Sequence, residues 1–122
     1  MKILPLVLLA VLSAACQPTG FHKREISRLE GWSESRLTQR YGAPEHVHTW
    51  TVADVARAPE PWRAPTRRVL SLFPPTVEDN LKVRIKALSW PRGRILLTAW
   101  LHEANGKWIA FYAEEWNMDV IE

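Results

Sequence analysis

Residues 81–116 constrain the fold of this chain more than any other stretch. They read LKVRIKALSW, PRG, RILLTAWLHE, ANG and KWIAFYAEEW, three runs of β-formers separated by two short turn sequences. Asn105-Gly106 suits the two central positions of a type I′ turn, both of which need positive φ. A two-residue loop there makes Trp100 face Phe111 and Leu101 face Ala110. A three-residue loop at Pro91-Arg92-Gly93 would put Ile95, Leu97, Ala99 and Leu101 on one face with Val83, Ile85, Ala87 and Ser89, because strand side chains alternate. That face is nearly all apolar and is the expected core. The opposite face then collects Lys82, Arg84, Lys86, Trp90, Trp100, His102, Ile109 and Phe111.

A length of 122 residues allows one small domain, and 47% hydrophobic with 24% charged residues is ordinary for a globular one. Seven Trp residues are many for such a chain, and they serve either a small core or a binding surface. The net charge of +3 is too weak, and has no dense basic stripe, for nucleic acid. It is compatible with loose attraction to an anionic membrane surface.

The first 15 residues, MKILPLVLLAVLSAA, have a positive start, an apolar run and small residues at the end. This is the outline of a secretory signal peptide, and the apolar run is too short for a stable membrane-spanning helix. The only cysteine, Cys16, follows directly. Small residues before a Cys resemble a bacterial lipobox, although Ser13 stands where Leu is usual and Leu12 lies one position further back. That resemblance implies cleavage before Cys16, lipidation of its thiol and acylation of the new N-terminus. No disulfide then remains available. Gln17, a residue other than Asp after the lipidated Cys, implies sorting to the outer membrane. Two or more acyl chains anchor stably. Residues 16–20 form the lipidated Cys and a tether of about 14 Å reach, at roughly 3.5 Å per residue. Residues 21–122 form the single α+β domain.

Two short helices are expected next. Residues 21–30 (FHKREISRLE) place Ile26 and Leu29 three apart among charges, with Gly31 as the stop. The second runs from Glu34 to Tyr41. Ser33 suits its N-cap, Trp32 and Leu37 the spacing of a hydrophobic staple, Gly42 the left-handed exit, and Pro44 forbids continuation. Neither is stable alone at this length, so both must pack on the sheet. Gly31, Ser33, Leu37, Gly42 and Pro44, soon after a lipobox and with a late Asn-Gly hairpin, resemble the small outer-membrane lipoproteins of the SmpA/OmlA (BamE-like) type. The resemblance implies two helices packed on an antiparallel sheet, a fold that recurs in β-lactamase-inhibitor-like proteins. It implies more about fold than about function, and it does not extend through the Pro-rich middle of the chain.

In that middle, residues 45–54 read as a first strand, residues 56–65 as a Pro-rich loop around Trp62, and residues 66–73 (TRRVLSLF) as a second strand closed by Pro74-Pro75. The fold expected is therefore α+β: two short N-terminal helices on a four- to five-stranded antiparallel β-meander.

Signatures of catalysis are scarce. His46 and His48 point to one side of a strand, and with His102 they could in principle ligate zinc, but strand-surface histidines are the better account. Glu114 and Glu115 are adjacent, hence on opposite strand faces, which argues against a cooperating pair and for a salt-bridged edge. The serines lie in no nucleophile elbow, and no Gly-rich phosphate loop is present. No cofactor or metal is expected. The expected binding surface is the aromatic-basic sheet face: Trp90, Trp100, Phe111 and Ile109, rimmed by Arg84, Lys86 and Arg94, with Trp62 from the loop either joining or covering it. The function expected is a non-enzymatic, lipid-anchored outer-membrane protein facing the periplasm that binds an envelope protein or a second copy of itself. The alternative is an inhibitor or ligand-binding module using the same face.

Overall fold

The computed structural model describes residues 22–57 and 65–117, with His22 through its backbone alone. The expected signal peptide, Cys16 with its tether, Trp62 and Val120-Ile121 lie outside the described residues. Five strands, β1 His22–Glu25, β2 His46–Thr51, β3 Arg84–Arg92, β4 Ile95–Ala104 and β5 Lys107–Asn117, form one antiparallel sheet. Their order is β1-β5-β4-β3-β2. The described residues also form three α-helices, α1 Glu34–Tyr41, α2 Val52–Arg57 and α3 Thr66–Leu72, and two 3-10 turns, Ser27–Leu29 and Glu78–Lys82. The fold is α+β, as expected. None of the described helices is long and apolar enough to cross a membrane.

The β4–β5 turn is as the sequence predicts, with φ of 53° at Asn105 and 78° at Gly106. The β3–β4 turn is not. It is a two-residue loop, Gly93-Arg94, with Gly93 at φ 63°, and glycine first is the preference of a type II′ turn. Pro91 lies inside β3, opposite Leu96. Next to a two-residue loop this is a non-hydrogen-bonded pair, so the missing N–H of Pro91 faces away from β4, beyond the start of β2 at His46 opposite Ser89. The change in loop length shifts the register by an odd number of residues, which exchanges the faces of β3 relative to β4. Leu97, Ala99 and Leu101 therefore share their face with Trp90, Leu88 and Lys86, while Trp100 and Thr98 share the other with Ala87 and Ser89. A bulge between Trp100 and Leu101 adds a second correction: Trp100 is opposite Tyr112, and Phe111 is the extra residue.

Both sheet faces are covered, by different elements. On the first face Leu88, Trp90, Leu97, Ala99, Leu101, Ala110 and Ala113 pack under Ile26, Leu29 and Leu37. On the second, Ile85, Ala87, Trp100 and Phe111 pack under Val52, Val55 and Val69. Leu29, Leu37, Leu88 and Leu101 are fully buried, each worth about 1.5–3 kcal/mol of transfer free energy.

Helix α1 follows its cap signals. Ser33 Oγ accepts from the Arg36 N–H at 3.1 Å, and the Gly42 N–H closes on the Thr38 carbonyl at 2.8 Å with Gly42 at φ 86°. Residues 21–30 do not form the expected helix: within them His22–Glu25 is a strand and Ser27–Leu29 a 3-10 turn. A ten-residue helix is marginal, whereas β1 satisfies the outer edge of the eleven-residue β5, from His22 opposite Asn117 to Glu25 opposite Glu114. The chain stays pinned there through Gly31 N–H to the Ala110 carbonyl at 2.7 Å and Ala110 N–H to the Trp32 carbonyl at 2.8 Å.

Residues 66–73 are a helix and its C-cap rather than a strand. Val69, Leu70 and Phe73 lie at helical spacing and pack on the second face. The expected first strand stops at Thr51 because Thr51 and Asp54 form a capping box: Thr51 N–H donates to Asp54 Oδ2 at 3.0 Å and Asp54 N–H to Thr51 Oγ1 at 3.2 Å.

Candidate functional site

The helices cover only part of the second face. Where they stop, a cleft of ≈ 870 Å³ opens over β1, β5, β4, β3 and β2. Its floor follows from the register. Glu114, Thr98, Ser89 and His46 form one row across four strands, with Glu25 extending it onto β1. On one side of that row stand Trp100, Ala87 and His48; on the other, Lys23, Trp116 and Leu96. Trp50 and Pro65 complete the lining on the helix side. Small side chains at Ala87, Ser89 and Thr98, framed by three Trp rings, give the sheet its concavity here.

Glu114 organises one wall. Only 7% exposed, its carboxylate accepts from Trp116 Nε1 at 2.7 Å and Tyr112 OH at 3.1 Å, and Lys23 Nζ lies 3.6 Å away. Burial first, and then the neighbouring carboxylate, push the Tyr112 hydroxyl up to about 12, so it remains a donor at neutral pH. Lys23 also stands 5.6 Å from the Trp116 ring centroid. Beside Glu114, Glu25 is held by Arg68 at 3.3 Å, which limits like-charge repulsion between the two carboxylates. At the other wall His48 stacks on Trp50 with centroids 5.3 Å apart and planes 15° apart. On the floor the Ser89 and Thr98 hydroxyls bond each other at 3.1 Å.

The aromatic-basic residues expected to form one binding face are dispersed. Trp90 is 3% exposed on the first face, its Nε1 donating to the Gly42 carbonyl at 2.8 Å. Trp100 and Phe111, 4% and 6% exposed, are core residues of the second. Ile109 is half-buried and bridges to Ser33. Arg84 and Lys86 flank Trp108 on the first face, bonded to Glu103 at 2.7 Å and Glu34 at 2.9 Å. Arg94 is exposed in the β3–β4 turn. Of the described members of that set, only Trp100 lines the cleft. His46 and His48 do share a side, as expected, whereas His102 packs between Phe73 and Phe111. Among the described residues no group of three or more His, Cys, Asp or Glu is placed to hold a metal ion. Glu114 and Glu115 do fall on opposite faces, Glu115 paired with Arg24 at 2.9 Å.

Lys23, Trp50, Glu114 and Trp116 were not among the expected binding residues. A signal for all but Lys23 exists in the alternation of two strands: His46-x-His48-x-Trp50 and Tyr112-x-Glu114-x-Trp116 each set three polar-aromatic side chains on one side. Comparison with protein-family models, curated proteins and solved structures gives no match.

Proposed function

We propose that this chain is a non-enzymatic, lipid-anchored protein of the bacterial outer membrane, facing the periplasm, that binds a ligand in the cleft on its second sheet face. The cleft carries this reading. Its volume of ≈ 870 Å³ is that of a ligand site, and it combines aromatic walls with a few convergent polar groups. The carboxylate within it is engaged by Trp116, Tyr112 and Lys23, which fits holding a shape better than moving a proton. The anchoring half of the proposal rests on the signal-like first 15 residues, Cys16 and Gln17. Replacing Cys16 with Ser tests it by cell fractionation: the wild-type chain is recovered with outer membranes and Cys16→Ser shifts to the soluble fraction. Unchanged recovery with the membrane would sink the anchor.

A role within an envelope protein complex, or as a homodimer, is a second reading, favoured by the edge of β2. Its sequence HVHTWT carries no Lys, Arg, Asp, Glu or Pro, and Val47 is 53% exposed. The opposite edge, β1, carries Lys23, Arg24 and Glu25, the charges that normally discourage edge pairing.

A further inference from the structure

Building on the cleft as a binding site, we propose that its ligand is an uncharged saccharide. The two long walls are aromatic and fixed before any ligand arrives: Trp116 by its 2.7 Å bond to Glu114, Trp50 by stacking on His48 at 5.3 Å. Between them the floor is polar, with the Ser89 and Thr98 hydroxyls able to donate and accept. A pyranose ring has the complementary surface, C–H faces for the rings and a hydroxyl rim for the floor.

Charge separates this ligand from the others the cleft could admit. Lys23 and Glu114 lie 3.6 Å apart and cancel formally, leaving a lining without net charge when His46 and His48 are neutral. An anionic or cationic ligand would find no uncompensated partner there and would be desolvated at a cost. An acyl chain would cover the Ser89 and Thr98 hydroxyls with hydrocarbon and leave them no partner but each other. A neutral polyol replaces the water at each of them.

The test is 19F NMR of the mature lipidated protein carrying 5-fluorotryptophan, in phospholipid nanodiscs, titrated with chitotriose, maltotriose, cellotriose, glucose 1-phosphate or octanoate. At least one of the three neutral trisaccharides should saturably shift the Trp50 and Trp116 resonances, while those of Trp32 and Trp90, on the other face, stay in place and report an intact fold. Trp116→Ala should weaken that binding at least tenfold, and Glu114→Ala, which removes the acceptor of the Trp116 Nε1 and so releases the ring without removing it, at least threefold. Saturation by octanoate or glucose 1-phosphate with no response to any neutral trisaccharide would overturn the saccharide and leave the cleft as a binding site. No response of Trp50 or Trp116 to any of the five probes would overturn both.

Discussion

His102 shows how much of the behaviour of this domain is set by single side chains. Burial between the Phe73 and Phe111 rings, centroids 5.2 and 6.0 Å away, holds its imidazole below the ordinary range, outweighing a backbone hydrogen bond at Glu103 that works the other way. With a lowered folded-state value, the unfolded chain binds the proton more readily. The contribution to stability is therefore complete above the unfolded value of about 6.5 and is lost as pH falls through the folded one. Thermal melts from pH 7.5 to 5 should show the wild type losing stability more steeply than His102→Gln, which keeps a polar side chain but cannot titrate. Parallel curves would mean that acid sensitivity arises elsewhere. Glu103 is shifted in the same direction by a different cause: its bond to Arg84 holds its carboxyl below the usual range, so it remains ionised throughout that window.

At the scale of elements, the best-defined unit is α1, whose ends were both legible. Ser33→Ala removes the 3.1 Å bond to the Arg36 N–H and should cost about 1 kcal/mol. This should appear as a drop of roughly 4–8 °C in thermal midpoint, and an unchanged midpoint would show that the cap is idle. The β4–β5 hairpin was legible for the same kind of reason: Asn105-Gly106 leaves few alternatives for a short turn. Elements whose identity depends on distant neighbours were not. Residues 66–73 are a short apolar run that suits a strand or a helix, and the uncovered second face selects the helix. Residues 21–30 have helical spacing, yet the open edge of β5 selects a strand. The candidate site was hidden by one turn. Reading Pro91 as loop instead of strand inverted β3 against β4, and with it the assignment of Trp90 and Trp100 to a common face. The reading of residues 45–54 as one strand ran through the capping box at Thr51 and Asp54, whose reciprocal bonds end β2.

The whole molecule divides into parts of different standing. Strands β2 to β5 follow one another along the sheet, with only the β2–β3 connection long, whereas β1 joins the opposite edge through four residue pairs that bring the start of the domain to its end. Stability should be distributed accordingly. Amide hydrogen exchange should find the centres of β3 and β4 most protected and the β1 amides exchanging well ahead of them; equal protection across the sheet would show that β1 opens only with the global fold. The direction of the chain adds a mechanical consequence. His22 opposite Asn117 is the outermost pair of the β1–β5 ladder, so a pull on the N-terminal end loads that pair first, and the rungs part in succession instead of sharing the force. Lys23 belongs to the second rung. Tension carried along the chain thus draws the cation away from Glu114 while the pairings among the other four strands are still intact.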